Sequence, residues 1–146
     1  METTDLKQKH VLVVDDSEGR RAFVLTAVGY TLGRDDTAAI MLQAEGVSRQ
    51  QAVLVRIPGT QPDQFSYRLV DGNTEGKHST NGTTVNGKPC LSHDLQDGDV
   101  ICFAGTAKAL YCLRTMTEEQ WQRYTETVDY RPMNVKPINP DSTTLF

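Results

Sequence analysis

Three cysteines supply all the thiol chemistry of this chain, and Cys90, Cys102 and Cys112 match no zinc or redox spacing. An odd number cannot pair completely within one molecule, so they read as reduced thiols acting as small apolar residues. Histidine is equally scarce. His10, His78 and His93 sit in dissimilar contexts, none with a carboxylate or thiol spaced to make a nucleophile–base pair. No enzyme activity, metal or cofactor is therefore expected. No apolar run is long enough to span a bilayer, and the opening Met1-Glu2-Thr3-Thr4-Asp5 is acidic rather than signal-like. These features lead to the expectation of a cytoplasmic protein with no membrane partner. An excess of positive charge is missing too: 15 Lys and Arg against 19 Asp and Glu leave a formal net charge of −4. Binding to nucleic acid rests on neutralising many phosphates, so nucleic acid is not an expected partner. A single phosphate held in a local basic pocket is a different matter, because a pocket depends on nearby charges and not on the total.

What is present is a series of short β-type runs separated by turn signals. The 146 residues are enough for one domain with short extensions, and the 38% hydrophobic fraction is ordinary for a folded domain. His10 to Val14 is a β-branched run, and Arg20 to Thr26 returns after the turn cluster Asp15-Asp16-Ser17-Glu18-Gly19. Tyr30 to Leu32, Ile40 to Leu42, Ala52 to Ile57, Tyr67 to Val70, Thr84-Val85, Val100 to Phe103 and Leu110 to Leu113 complete the set. Asn86-Gly87 and Asp97-Gly98 are tight-turn dipeptides that favour positive φ. This pattern points to an all-β sandwich or barrel. One helix follows, because Thr117-Glu118-Glu119-Gln120 has the form of a capping box. Trp121, Tyr124 and Val128 then share one helical face, which reads as packing against the sandwich. Prolines 132, 137 and 140 prevent regular structure in what is expected to be a disordered tail. The division is an arm over 1–9, a domain over 10–115, a helix over 116–129 and a tail over 130–146.

One stretch misleads. Val11-Leu12-Val13-Val14-Asp15-Asp16 resembles the opening of a response-regulator receiver domain, whose acidic pair holds magnesium beside a phosphorylated aspartate. That family needs a helix next, and Gly19, Gly29 and the β-rich Ala22-Phe23-Val24-Leu25-Thr26 do not make one. The later strand Val53-Leu54-Val55-Arg56-Ile57 offers no acceptor carboxylate. Asp15 and Asp16 read as a solvated turn.

Three loops, distant in sequence, carry groups suited to an oxyanion. The first is Gly33-Arg34-Asp35-Asp36, in which Arg34 offers a planar fork matching two phosphate oxygens. The second is Val47-Ser48-Arg49-Gln50-Gln51-Ala52, with a hydroxyl and a second charge. The third is Ser79-Thr80-Asn81-Gly82-Thr83, followed by Val85-Asn86-Gly87. Asn81 carries both a donor and an acceptor and can bond an extended peptide's main chain. Asn81 or Gly82 is expected in the left-handed region. Each signal alone is ordinary loop chemistry, and the order of the three is what carries weight. With Leu95-Gln96-Asp97-Gly98-Asp99-Val100-Ile101-Cys102-Phe103 behind them, and Ile40 at an apolar position, residues 10 to 115 resemble the forkhead-associated (FHA) domain.

That resemblance implies a sandwich of about eleven strands whose motif loops converge at one end. It implies that Arg34 and Ser48 contact a phosphate with help from Arg49, that Thr80 receives a phosphothreonine side chain, and that Asn81 bonds the ligand backbone. Gly33, Gly82, Asn86 and Gly87 are then structural turn residues. Ser79, Lys77 and His78 are additional candidates. The expected function is a phosphothreonine-binding adaptor in Ser/Thr kinase signalling, with a phosphothreonine-containing protein as partner and a Ser/Thr protein kinase upstream. The competing reading is a phospho-independent FHA scaffold. Two departures from the family bear on the choice. Gln51 stands where the family usually has a histidine that braces the loops, and its amide can replace those hydrogen bonds. The stretch Gly72-Asn73-Thr74-Glu75-Gly76-Lys77-His78 lengthens the third loop, with Lys77 and His78 either adding charge beside the phosphate or merely solvated. Phosphorylation of Thr143, Thr144 or Thr3 would let either end occupy the pocket of its own chain or of a second copy. The plainer alternative for both ends is an unmodified segment.

Overall fold

The structure is a computed structural model and describes residues 7–61 and 64–127. Eleven strands and one helix follow in the order β1 (Lys7–Asp16), β2 (Gly19–Val24), β3 (Gly29–Gly33), β4 (Ile40–Met41), β5 (Ala52–Pro58), β6 (Phe65–Asp71), β7 (Thr83–Val85), β8 (Lys88–Pro89), β9 (Ser92–Asp94), β10 (Val100–Phe103), β11 (Ala107–Met116) and α1 (Glu118–Thr127). They form two sheets, one of six strands in the order β2-β1-β11-β10-β7-β8 and one of five in the order β4-β3-β5-β6-β9. β3 and β4 run parallel, and the other pairings are antiparallel. The expected all-β sandwich is the observed fold.

Side chains alternate across a strand, so each sheet sends every second residue inward. In β1 this puts Leu12 and Val14 into the main core, with Leu32, Leu54, Tyr67, Leu69, Ile101, Phe103 and Tyr111. Val11 lies on the opposite face of the same strand and forms a separate small cluster with Ala22 and Cys112. The register explains the grouping, because Val11 lies opposite Cys112 on β11, and Ala22 on β2 lies opposite Val13, which packs on the same cluster. The three thiols are free. Cys90 and Cys112 are buried, and burial raises both thiol pKa values, as expected of inert apolar cysteines.

Two turns close the sheets with the residues their geometry requires. Asn86 (φ 52°) and Gly87 (φ 84°) both take positive φ, the condition for the two-residue link joining β7 to β8. At Asp97-Gly98 only Gly98 does so, at φ 91°, and Asp97 instead accepts the Leu113 N–H at 2.8 Å. Asp99 ties the two turns together, accepting from Gln96 N–H (2.8 Å) and from Asn86 Nδ2 (2.9 Å), with His93 Nε2 at 2.9 Å. Burial works against the charge on Asp99, but these contacts outweigh it and leave its carboxyl below the usual range.

Two features depart from the sequence reading. β8 and β9 are short and polar and show no apolar alternation. Asp16 is not solvated: its side chain is fully buried, pairs with Arg21 and accepts the Gln43 N–H at 2.8 Å, pinning the first hairpin to the chain after β4. The capping box forms as expected, with Gln120 N–H donating to Thr117 Oγ1 at 3.1 Å and Thr117 N–H donating to Gln120 Oε1 at 3.0 Å. The packing face assigned to Trp121, Tyr124 and Val128, the arm over 1–6 and the tail from 128 onward lie outside what the structure describes.

His10 gives the fold a measurable acid sensitivity. It is 1% exposed, stacks on Phe65 with ring centroids 4.2 Å apart, and places Nδ1 2.6 Å from the Tyr111 hydroxyl. Its Nε2 is buried without a partner among the described residues. Burial lowers its pKa from 6.5 to about 4. Between those values the unfolded chain holds the proton and the folded chain does not. Stability is therefore full above about pH 6.5 and falls by roughly 2–3 kcal/mol as pH drops toward 4. Urea unfolding at pH 7.0, 5.5 and 4.5 should show this loss, and a His10→Phe variant should show a shallower slope.

Candidate functional site

Hydrogen bonds bring the three motif loops together, the first to the second through the backbone and the second to the third through the Ser48 and Gln51 side chains. Arg34 N–H donates to Ser48 C=O at 3.0 Å, and Asp35 N–H to Arg49 C=O at 3.3 Å. Gly33 makes this contact possible. It does not take positive φ, so it is not the turn residue expected from sequence. A Cβ at this position would lie 1.9 Å from the Arg49 carbonyl oxygen, a backbone atom that cannot swing aside. Gly33→Ala should therefore displace the second loop and destabilise the domain by roughly 1–3 kcal/mol, read as a lower midpoint in thermal unfolding.

Arg34, Ser48 and Asn81 are each tied to a neighbouring loop. Arg34 Nε donates to Val47 C=O at 2.9 Å, and its two terminal nitrogens make no hydrogen bond to the described residues. Ser48 Oγ accepts the Thr80 N–H at 2.9 Å, which leaves its own O–H available as a donor. Thr80 and Arg49 are exposed. Asn81 Nδ2 donates to Gly46 C=O at 2.8 Å, so one amide N–H is spent just before the second loop, and its other N–H and its side-chain carbonyl are left for a ligand. Gly82 takes φ 85°, which settles the Asn81-or-Gly82 alternative in favour of glycine.

A buried polar chain supports these loops from beneath. Gln51 is fully buried. Its Oε1 accepts the Ser48 N–H at 2.9 Å, and its Nε2 donates to Gly82 C=O at 2.9 Å and Thr83 Oγ1 at 3.0 Å. Both ends of one amide thus join the second loop to the third, the bracing expected when glutamine replaces histidine. Thr83 Oγ1 in turn donates to Asp71 Oδ1 at 2.7 Å. Asp71 also accepts Ser79 Oγ–H at 2.6 Å and Ser79 N–H at 3.1 Å. Asp71 was not anticipated. An acidic residue before a glycine reads as turn chemistry, and only its side-chain exposure of 3% reveals a buried hub.

Above this support lies a depression of about 490 Å³ lined by Arg34, Asp35, Ser48, Arg49, Gln50, Asn73, Lys77, His78 and Thr80. Six of the eight proposed ligand-binding residues thus surround one concavity. Asn81 sits outside its lining, and Ser79 is consumed within the wall. Asp35 is the sole carboxylate in the lining. The Thr37 N–H and hydroxyl, with help from Asp36 and from the Arg49 charge, hold its carboxyl below the usual range. No ion pair among the described residues engages Arg34, Arg49 or Lys77.

Free guanidinium nitrogens, unspent hydroxyls and a concave floor at the loop end of an eleven-stranded sandwich define an anion-recognition module. The FHA domain profile matches residues 30–104, and the chain belongs to the FHA domain family. It resembles the crystal structure of the Slr1951 protein from Synechocystis sp., with a TM-score of 0.67 and 40% identity, covering 72% of this chain and 98% of that one. It resembles an FHA domain studied for phosphothreonine-dependent interactions, with a TM-score of 0.57 and 31% identity over 73% of this chain and 97% of that one. The FhaA FHA domain, crystallised in complex with the intracellular domain of Rv3910, is 32% identical, with a TM-score of 0.55 over 70% of this chain and 98% of that one. An uncharacterised Synechocystis protein, sll1895, is 32% identical over 100 residues, which are 68% of this chain but 14% of that relative.

Proposed function

We propose that this protein is a phosphothreonine-binding adaptor in Ser/Thr kinase signalling, and that it catalyses no reaction. The observation that carries the reading is the meeting of Arg34, Ser48 and Thr80 around one depression, with the Arg34 terminal nitrogens unspent. A dianionic phosphate monoester presents acceptor oxygens only, and these three residues offer N–H and O–H donors. Asn81, at the rim, bonds the peptide main chain. The phosphothreonine-dependent binding of a similar FHA domain supports the reading, as does the protein complex formed by another.

Titration calorimetry with a phosphothreonine peptide library tests it. Micromolar binding that vanishes on dephosphorylation is the expected result. A phosphoserine version should bind about fivefold more weakly, because it lacks the phosphothreonine γ-methyl and one buried methyl is worth roughly 1 kcal/mol. Binding that ignores the phosphate would favour the scaffold reading instead. Self-association through phosphorylated Thr3, Thr143 or Thr144 is part of the same proposal. It predicts that a phosphorylated chain shows weakened peptide affinity or dimerises, as read by mass and sedimentation.

A further inference from the structure

The depression extends beyond the residues assigned to the phosphate. Arg34, Ser48 and Thr80 account for one part of the lining. Beside them lie Asp35 and Arg49, and the rest is Gln50, Asn73, Lys77 and His78, contributed by the end of the second loop and by the lengthened segment before Ser79.

That segment is built, not slack. Asn73 organises it: its Oδ1 accepts from Glu75 N–H and Lys77 N–H, both at 2.9 Å, and its own N–H donates to Lys77 C=O at 2.9 Å. Its Nδ2 donates to Gln50 Oε1 at 2.9 Å, bolting the segment to the second loop. Gly72 takes φ 93°, and a Cβ there would lie 2.1 Å from the Lys77 carbonyl oxygen, so the backbone carrying Lys77 folds tightly onto the strand end. The His78 backbone packs there too, its Cα 2.9 Å from the same Cβ position, and its Nδ1 lies 3.6 Å from the buried Asp71 carboxylate. Two nitrogen-bearing side chains are thus presented from a fixed backbone, and Lys77 pairs with no carboxylate among the described residues. The one carboxylate in the depression, Asp35, accepts the Thr37 N–H at 3.0 Å.

We infer that Lys77 and His78 form a second anion subsite, which reads a phosphorylated or acidic residue close to the phosphothreonine in the same peptide. The inference rests on the phosphothreonine reading of the main pocket. An ammonium and an imidazole offer N–H donors without requiring a planar fork, so either a phosphate or a carboxylate satisfies them. The subsite then explains why a chain of net charge −4 gathers three cationic side chains and a histidine in one depression.

Calorimetry on the full chain tests this with peptides that carry one phosphothreonine and, at each flanking position in turn, a second phosphoresidue, glutamate or alanine. The expected result is a gain of about fivefold or more for a second anion at one or two positions, shrinking as salt rises. The readout is the ratio of affinities for the doubly and singly anionic peptides, measured in the parent, in Lys77→Ala, in His78→Ala and in the double variant. That ratio should fall toward one in the double variant. A gain with phosphate alone identifies a second phosphoresidue as the ligand, and an equal gain with glutamate identifies acidic sequence. A parent ratio of one at every position overturns the subsite while leaving the main pocket standing, as does a gain that survives in the double variant. Failure of the parent to bind any phosphopeptide overturns both.

Discussion

Arg34→Ala should weaken phosphothreonine-peptide binding by tenfold or more while leaving the fold intact. Hydrogen bonds to charged groups contribute about 1.5–3 kcal/mol, and 1.4 kcal/mol is roughly a tenfold change in affinity. The structure separates the binding role of this arginine from its structural one. Its backbone N–H joins the first loop to the second, and alanine keeps that bond. Its side chain gives up one contact within the protein, from Nε to Val47 C=O at 2.9 Å, at an exposed position where water substitutes. Calorimetry should therefore show the affinity loss, and thermal unfolding should shift by no more than a few degrees. Arg34→Lys should recover only part of the affinity, because an ammonium keeps the charge but cannot span two oxygens.

Asp71→Ala should produce the opposite pattern, a large loss of stability accompanied by loss of binding. The carboxylate accepts three hydrogen bonds, from Ser79 N–H, Ser79 O–H and Thr83 O–H. Removing the acceptor strands the Thr83 O–H, on a residue only 3% exposed, and the two half-buried Ser79 donors. Each unsatisfied buried group costs about 1–3 kcal/mol. Some recover by rotating or recruiting water, so the expected total is about 3 kcal/mol in urea unfolding. The effect on ligand follows from connectivity. Asp71 holds Thr83, Thr83 accepts from Gln51, and Gln51 accepts from Ser48, so one deletion loosens both loops that carry the pocket hydroxyls. Asp71→Asn is the sharper variant. It preserves volume but presents at most one acceptor oxygen and places an N–H₂ group among donors.

The contrast between these two residues shows what could be read before folding. Arg34, Ser48 and Thr80 announce themselves because their roles depend on residue type and on order along the chain, and both are properties of sequence. The strands that carry the core were legible for the same reason: inward-facing residues such as Leu54, Leu69 and Ile101 stand in β-rich runs bounded by turns. Asp71 was hidden because its role arises from burial and from partners 8 and 12 residues away, and nothing in Val70-Asp71-Gly72 distinguishes a buried hub from a turn. Asp16 was hidden likewise, since its partner Gln43 lies 27 residues on. Gly33 was found but given the wrong reason, because sequence favours a glycine as a turn and cannot show a carbonyl passing within 1.9 Å of the missing side chain. β8 and β9 were missed because two or three polar residues carry no period, and their pairing is set by the neighbours Val85 and Leu69. Ala104, with φ 57°, gave no signal at all, because alanine is an unusual choice for that conformation.

Amide-resolved NMR titration with a phosphothreonine peptide reaches the proposed site most directly. The amides of Arg34, Ser48, Arg49, Thr80 and Asn81 should shift together and saturate at one dissociation constant, and phosphatase treatment of the peptide should return each to its starting position. Binding that leaves those five signals unmoved, and instead perturbs the exposed strand face around Val100 and Leu110, would contradict it.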